Sequence, residues 1–393
     1  MNSRLKIIVT GLIAQYPLGG VAWDYLQYVL GLSRMGHDVY YLEDTGFWPY
    51  NPTTGGLSKD GCSYNVAYLD TVMAQFNLQD RWMFRHDYTD QWYGLKDTER
   101  RELIATADLL INVSGCLAYP ERYRNIKRLA FIDSDPVFTQ IKLLLGYESF
   151  RAQIDQHDVL FSFAENPSHN IPCSGDTWLP TRQPIVLEEW QPAKAHRESF
   201  TTVMNWTSYD SLEFNGEIYG QKDEEFKSYI NLPASLPEGT LELAVNEGKT
   251  KRTPRERLEA AGWTLVSPAT VCADMHSYRE YIRHSGAEWS VAKQGYVKGR
   301  SGWFSCRSAC YLASARPVVV QDTGFSEIIP CGDGVIAFNN PNEALAGIES
   351  VRSNPKLHST AARAIAESHF DSTKVLTNLV ECAMSNLCEV QAA

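Results

Sequence analysis

Apolar residues along this chain come in two alternating patterns. Runs of four to six buried-type residues (6–9, 39–42, 108–113, 128–132, 159–163) are separated by segments whose apolar positions recur every three or four residues. The first such unit is a strand at 6–9, a loop ending Pro17-Leu18-Gly19-Gly20, a helix over 21–35 closed by Gly36, and a strand at 39–42. Strand, helix and strand in this order form a βαβ unit, which requires a parallel sheet. A second series places strands at 201–204, 241–245, 263–266 and 317–320, with helices at 222–230, 254–261, 277–283, 306–315 and 342–352. Between the two series, residues 166–199 are rich in Pro, Gly and polar residues and read as a crossover. The expected architecture is α/β, with two Rossmann-like domains facing a central cleft. The first spans 1–195, the second 196–355, and a helical tail over 356–393 is free to cross back to the first domain.

Length supports this division, since 393 residues exceed what one core usually serves. The formal net charge of −11 argues against nucleic acid as a partner, because neutralising phosphates takes a basic surface. The nine cysteines have no paired CxxC spacing, which fits free thiols in a reducing cytoplasm. No stretch approaches the roughly 20 apolar residues of a membrane helix, so a cytoplasmic protein is expected.

Several strands end in polar or acidic residues, at the edge where open α/β sheets place ligands. In the second series, Lys298, Arg300, Ser301, Gly302 and Trp303 precede a helix. Small residues ahead of a helix N-terminus, with cations beside them, suit a phosphate; a plain capped helix with a surface arginine is the alternative. Lys222, opening an earlier helix, is a second phosphate candidate, although acidic residues 223–225 oppose an anion there unless they point away. Trp303 is the aromatic best placed to stack on a ligand.

The segment 299–329, GRSGWFSCRSACYLASARPVVVQDTGFSEII, resembles the donor-binding helix and strand of GT-B glycosyltransferases. Within it, Asp322, Thr323 and Gly324 with Glu327 look like that family's glycine loop and following glutamate. Gly19 and Gly20, with Gly36-His37-Asp38-Val39, are similar to its N-terminal glycine loop and strand entry. The resemblance implies the GT-B fold and transfer of a sugar from a nucleotide-diphosphate sugar, UDP- or TDP-linked, to a small-molecule or glycan acceptor, with no cofactor and no metal. Aligned on Pro317, the two glutamates that many retaining members carry fall on Gly302 and Cys310, neither acidic. That departure favours an inverting reaction, which needs one base in the first domain. Asp133 and Asp135, at the end of a strand, are the first candidates and Glu165 the next, with helix capping before Pro136 as the ordinary role for the aspartates. Asp24, after the glycine loop, is placed to orient the acceptor. A nucleotide-sugar 2-epimerase on the same scaffold and a non-catalytic nucleotide-sugar-binding partner are the competing readings.

Overall fold

The computed structural model describes residues 4–58, 61–166, 172–247 and 252–385. The first sheet contains β1 (Lys6–Thr10), β2 (Asp38–Glu43), β3 (Trp82–His86), β4 (Gln91–Gly94), β5 (Leu109–Val113), β6 (Arg128–Asp133), β7 (Val159–Ser162) and β8 (Trp178–Pro180), in the order β8-β7-β6-β5-β1-β2-β3-β4. All neighbours are parallel except β3 and β4. Every residue of β5 is buried, as a central strand covered on both faces must be.

The second sheet contains β9 (Phe200–Asn205), β10 (Leu241–Asn246), β11 (Thr264–Val266), β12 (Ala287–Ser290), β13 (Val318–Gln321) and β14 (Val335–Phe338), ordered β11-β10-β9-β12-β13-β14 and wholly parallel. Its core is aromatic. Trp289 on β12 stacks on Phe338 at 5.8 Å and meets Phe226, Tyr229 and Trp263. In each sheet the order reverses beside the first strand, between β1 and β5 and between β9 and β12, and the crevice at such a point is the natural ligand site.

Helix α1 (Gly19–Arg34) follows β1 and buries Leu26, Val29 and Leu30. It ends where Gly36 takes φ 93°, and the amides of Gly36 and His37 bond back to Ser33 and Leu32. The helix also forms much of the contact between the two halves. The Trp23 indole N–H donates to the carbonyl of Met275, 2.9 Å away, the first residue of α4 (Met275–Arg283) in the second half. Of the expected crossover 166–199, residues 167–171 lie outside the described residues; its remainder is more than a linker, because β8 pairs with β7 and Trp190 packs on Trp23 at 5.1 Å.

The helices that position the site are, in chain order, α1, α2 (Phe138–Leu144), α3 (Lys222–Phe226), α4, α5 (Gln294–Gly299), α6 (Cys306–Ala313) and α7 (Ser372–Met384). The last of these returns to the first half and lies on α1. A β-carbon at Gly31 of α1 would sit 2.4 Å from Leu376 Cδ1 and 3.0 Å from Ser372 Cβ, so glycine is what allows this approach. Gly31→Ala is therefore expected to lower stability by about 1–3 kcal/mol through overpacking, read as a fall in thermal midpoint relative to the wild type.

Candidate functional site

Beside the second sheet's reversal point lies a small pocket, lined among others by Ser290, Ala292, Ser305, Arg307, Ser308 and Thr323. These residues come from the ends of β12 and β13 and the start of α6. The helix begins at Cys306, four residues beyond the expected Ser301–Gly302 turn, and its N-cap Ser305 makes no side-chain capping bond. First-turn amides have no partner within a helix, so this end is the one that presents N–H groups to the cavity.

Arg307 in the first turn is nearly buried. Its Nε donates to Glu288 Oε1 at 2.6 Å and its Nη1 to the Val203 carbonyl at 2.6 Å, which ties α6 to both β12 and β9. The Glu288 side chain is wholly buried. Lys222 opens α3 nearby and makes no hydrogen bond or ion pair among the described residues. Burial holds its pKa well below the ordinary lysine value, and the positive charges of Arg307 and Lys293 push the same way. The acidic residues beside it turn elsewhere, Glu224 to Lys227 and Glu225 to the Gln321 amide. Glu288 opposes the downward shift of Lys222 only in part, so its charged form is disfavoured until an anion comes beside it.

Facing it from α1 is Asp24. Its backbone carbonyl accepts from Gln183, but its carboxylate has no hydrogen-bond partner among the described residues. Burial raises its pKa to about 7, with Arg307 drawing it partly back.

The other expected site residues have different roles. Gly302 N–H donates to the Thr323 carbonyl at 2.8 Å, and the Ser301 carbonyl accepts from Asn166 N at 3.0 Å. Arg300, at φ 45°, pairs with Glu327 Oε1 at 2.7 Å and lies 3.6 Å from Asp322 Oδ2. Asn166 also donates to Glu327, while Asp322 accepts from Gly324 N and Ser326. Arg300, Ser301, Gly302, Gly324 and Glu327 thus form a seam between the two halves, and their polar groups are already taken. The expected phosphate cradle at 300–302 is corrected accordingly: of that donor set only Thr323 and Trp303 line the cavity. Trp303 does not offer a free face; it stacks on Tyr296 at 4.4 Å and its indole donates to the Ser134 carbonyl at 3.2 Å.

The expected bases are also engaged. Asp133 accepts from the Asp135 amide, Thr139 and Ser162, which makes it a loop cap; burial raises its pKa to about 6. Asp135 is held by Lys293 Nζ at 2.8 Å, and its pKa is lowered, the lysine and two phenols outweighing the effect of burial. Glu165 is paired with Arg182. Gly19 and Gly20 serve close packing rather than an acceptor: a β-carbon on Gly19 would lie 2.1 Å from the Asp274 carbonyl.

Arg307, Lys293 and Glu288 were missed in the sequence. One signal was present, because a cation in the first turn opposes the helix dipole and Arg307 therefore needs an anionic neighbour.

No protein-family model and no curated protein matches the chain, but solved structures do. An alpha-glucosyltransferase in complex with UDP and a 13-mer DNA containing a HMU base superposes with TM-score 0.59 at 12% identity, covering 98% of this chain and 100% of that one. Sucrose-phosphate synthase from Thermosynechococcus elongatus gives 0.54 at 10% identity, over 96% and 97%. Anabaena HepE in complex with UDP and glucose gives 0.56 at 12% identity, over 96% and 99%.

The chain has the GT-B fold. The exclusion of nucleic acid drawn from net charge is overturned, since a protein of this fold is seen with DNA bound. Net charge is a sum over the whole surface, whereas a binding face is local. No helix among the described residues is long and apolar enough to cross a membrane.

The Asp24 shift has a thermodynamic consequence. A carboxyl whose pKa is about 7 folded and about 4 unfolded binds more protons in the folded state between those values. Its contribution to stability is present at low pH and is lost as pH rises through that window. Glu43, also raised to about 7 by burial, adds the same slope to both proteins under comparison. Asp24→Asn should therefore raise the thermal midpoint relative to the wild type at about pH 8, with the difference shrinking toward zero near about pH 4 in paired melts.

Proposed function

We propose that the protein is a glycosyltransferase that takes a sugar from a nucleoside-diphosphate donor, UDP- or TDP-linked, to an acceptor hydroxyl. The observation that carries the reading is the Lys222 amine, without a hydrogen-bond partner among the described residues and within electrostatic reach of Arg307, together with the open first turn of α6 beside the second sheet's reversal point. A lysine whose charged form burial disfavours is stabilised as the ammonium by an anion bound beside it, so the site suits an anionic ligand. Amides at a helix N-terminus with flanking cations suit a diphosphate. The solved structures with UDP bound on this fold support the same class of donor.

In this reading the diphosphate leaves from the anomeric carbon against Lys222, Arg307 and the α6 amides, which take up the charge that develops on it. Asp24 faces them from the other half. Its carboxylate accepts the proton of the acceptor hydroxyl as the acceptor oxygen bonds to the anomeric carbon and the bond to the diphosphate breaks, its electron pair going to the nucleotide. A pKa near 7 suits a base at neutral pH, and a single displacement inverts the anomeric centre.

Lys222→Ala should weaken UDP binding about tenfold or more, the loss of one charge-assisted contact, as measured by calorimetry. Asp24→Asn should keep nucleotide affinity and lose transfer by at least about a hundredfold. Unchanged UDP affinity in Lys222→Ala would sink the donor site. A product of retained anomeric configuration, read by NMR, would remove Asp24 as base and leave the transferase. Epimerised sugar formed without acceptor would instead favour an epimerase, and binding without turnover a non-catalytic partner.

A further inference from the structure

The loop between β6 and α2 reaches across the cleft and is gripped by the second half. Asp135 Oδ1 accepts from Lys293 Nζ at 2.8 Å and from the Tyr296 hydroxyl, and Oδ2 accepts from the Tyr209 hydroxyl. Tyr209 also accepts from Lys293 at 2.8 Å. The ammonium sits among the rings of Tyr209, Phe138 and Tyr296, at 4.4, 5.2 and 5.2 Å from their centroids. Glycines on α5 admit the loop: a β-carbon on Gly295 would lie 2.5 Å from the Phe138 ring, and one on Gly299 2.5 Å from Val137 Cγ2. Val137 itself takes φ 72°, a left-handed conformation that a β-branched residue adopts only when its surroundings impose it.

Two features connect this clasp to the pocket lined by Arg307. Lys293 directly follows the pocket wall at 290–292 and is one of the positive charges that Lys222 senses. The pocket has room inside for about one water molecule, and a nucleotide sugar is a far larger ligand. Entry or release of such a donor requires the halves to part, and parting them breaks the Asp135 contacts.

We propose that Asp135 is a positioning residue, which crosses the cleft to hold Lys293 at the rim of the pocket and latches the two halves shut over it. Loss of the carboxylate frees a buried lysine and two phenols at once, so the closed arrangement is disfavoured. The part played in nucleotide binding rests on the donor site proposed above; the latch itself does not.

The test compares the full-length wild type with Asp135→Asn, Lys293→Gln and the double variant, each first shown to melt cooperatively. Small-angle scattering of the ligand-free proteins reads the separation of the halves, and calorimetry with UDP reads the pocket. Asp135→Asn should enlarge the radius of gyration and weaken UDP binding about tenfold. It should raise KM for donor with kcat little changed at saturation. The double variant should bind UDP no more weakly than Lys293→Gln alone, because Asp135 acts through that lysine. Should Asp135→Asn fail to fold, Tyr209→Phe with Tyr296→Phe removes two of the donors and keeps the ion pair, with a smaller expansion expected. An unchanged radius of gyration in these variants, or additive losses in the double variant, would overturn the proposal. A wild type that does not bind UDP while Asp135→Asn still expands would sink the donor site and uphold the latch.

Discussion

The Arg307 guanidinium fixes the site. It spans two adjacent strands, bonding Glu288 on β12 and the carbonyl of Val203 on β9, and so sets the first turn of α6 over the point where the strand order reverses. Glu288 is fully buried, and a buried carboxylate persists only when paired. Removing either partner would leave the other charged and desolvated, and α6 would lose its registration with the sheet. The first turn of α6 and the polar ends of β12 and β13 line one pocket because this ion pair holds them there, and Lys222 on α3 lies within electrostatic reach of Arg307.

The second constraint is the contact between the halves. On one side α1 packs on α4, with the Trp23 indole donating to the Met275 carbonyl; on the other, Asp135 and Asn166 reach from the first half into the 293–327 segment. Residues with strong hydrogen-bonding capacity, such as Arg300, Glu327 and Trp303, are engaged in that seam and not left for a ligand. Among the described residues of the site, an amine on one side, Lys222, and a carboxyl on the other, Asp24, have no hydrogen-bond partner.

Periodicity exposed much of the fold because the central strands are nearly all apolar: β1, β5, β6, β9, β10 and β13 read directly. It hid β12, whose sequence Ala-Glu-Trp-Ser places a glutamate in a fully buried strand. Only the distant Arg307 makes that tolerable, and no local pattern reports a partner 19 residues away. Likewise β3, Trp-Met-Phe-Arg-His, contains an arginine whose partners are Asp44, from the loop after β2, and Asp87 and Asp90, from the hairpin turn that follows it. The site was legible as a region and misassigned in detail for the same reason. Arg300 and the glycine before Trp303 have the right chemistry for a phosphate, but whether an N–H is free depends on the strand it meets, here the Thr323 carbonyl. Asp24 and Lys222 were identifiable as candidates; that their charges lack partners is a tertiary fact.

The missing glutamate pair can be understood in the same terms. Gly302 takes φ 79°, and a β-carbon there would lie 2.6 Å from the Asn166 amide nitrogen, so no acidic side chain fits without opening the seam. Cys310 is buried against α1, where its sulfur accepts from Gln27 at 3.7 Å. A carboxylate at that position would be buried between helices with one amide to satisfy it, at a cost that a thiol does not incur. The chain has closed both positions on α6 and its approach loop to acids, and the remaining unpaired carboxylate facing Arg307 is carried by α1. An acid supplied by the opposite half comes into register with the cations only when the halves are together. This ties the chemistry proposed for Asp24 to the closure that Asp135 and Lys293 maintain.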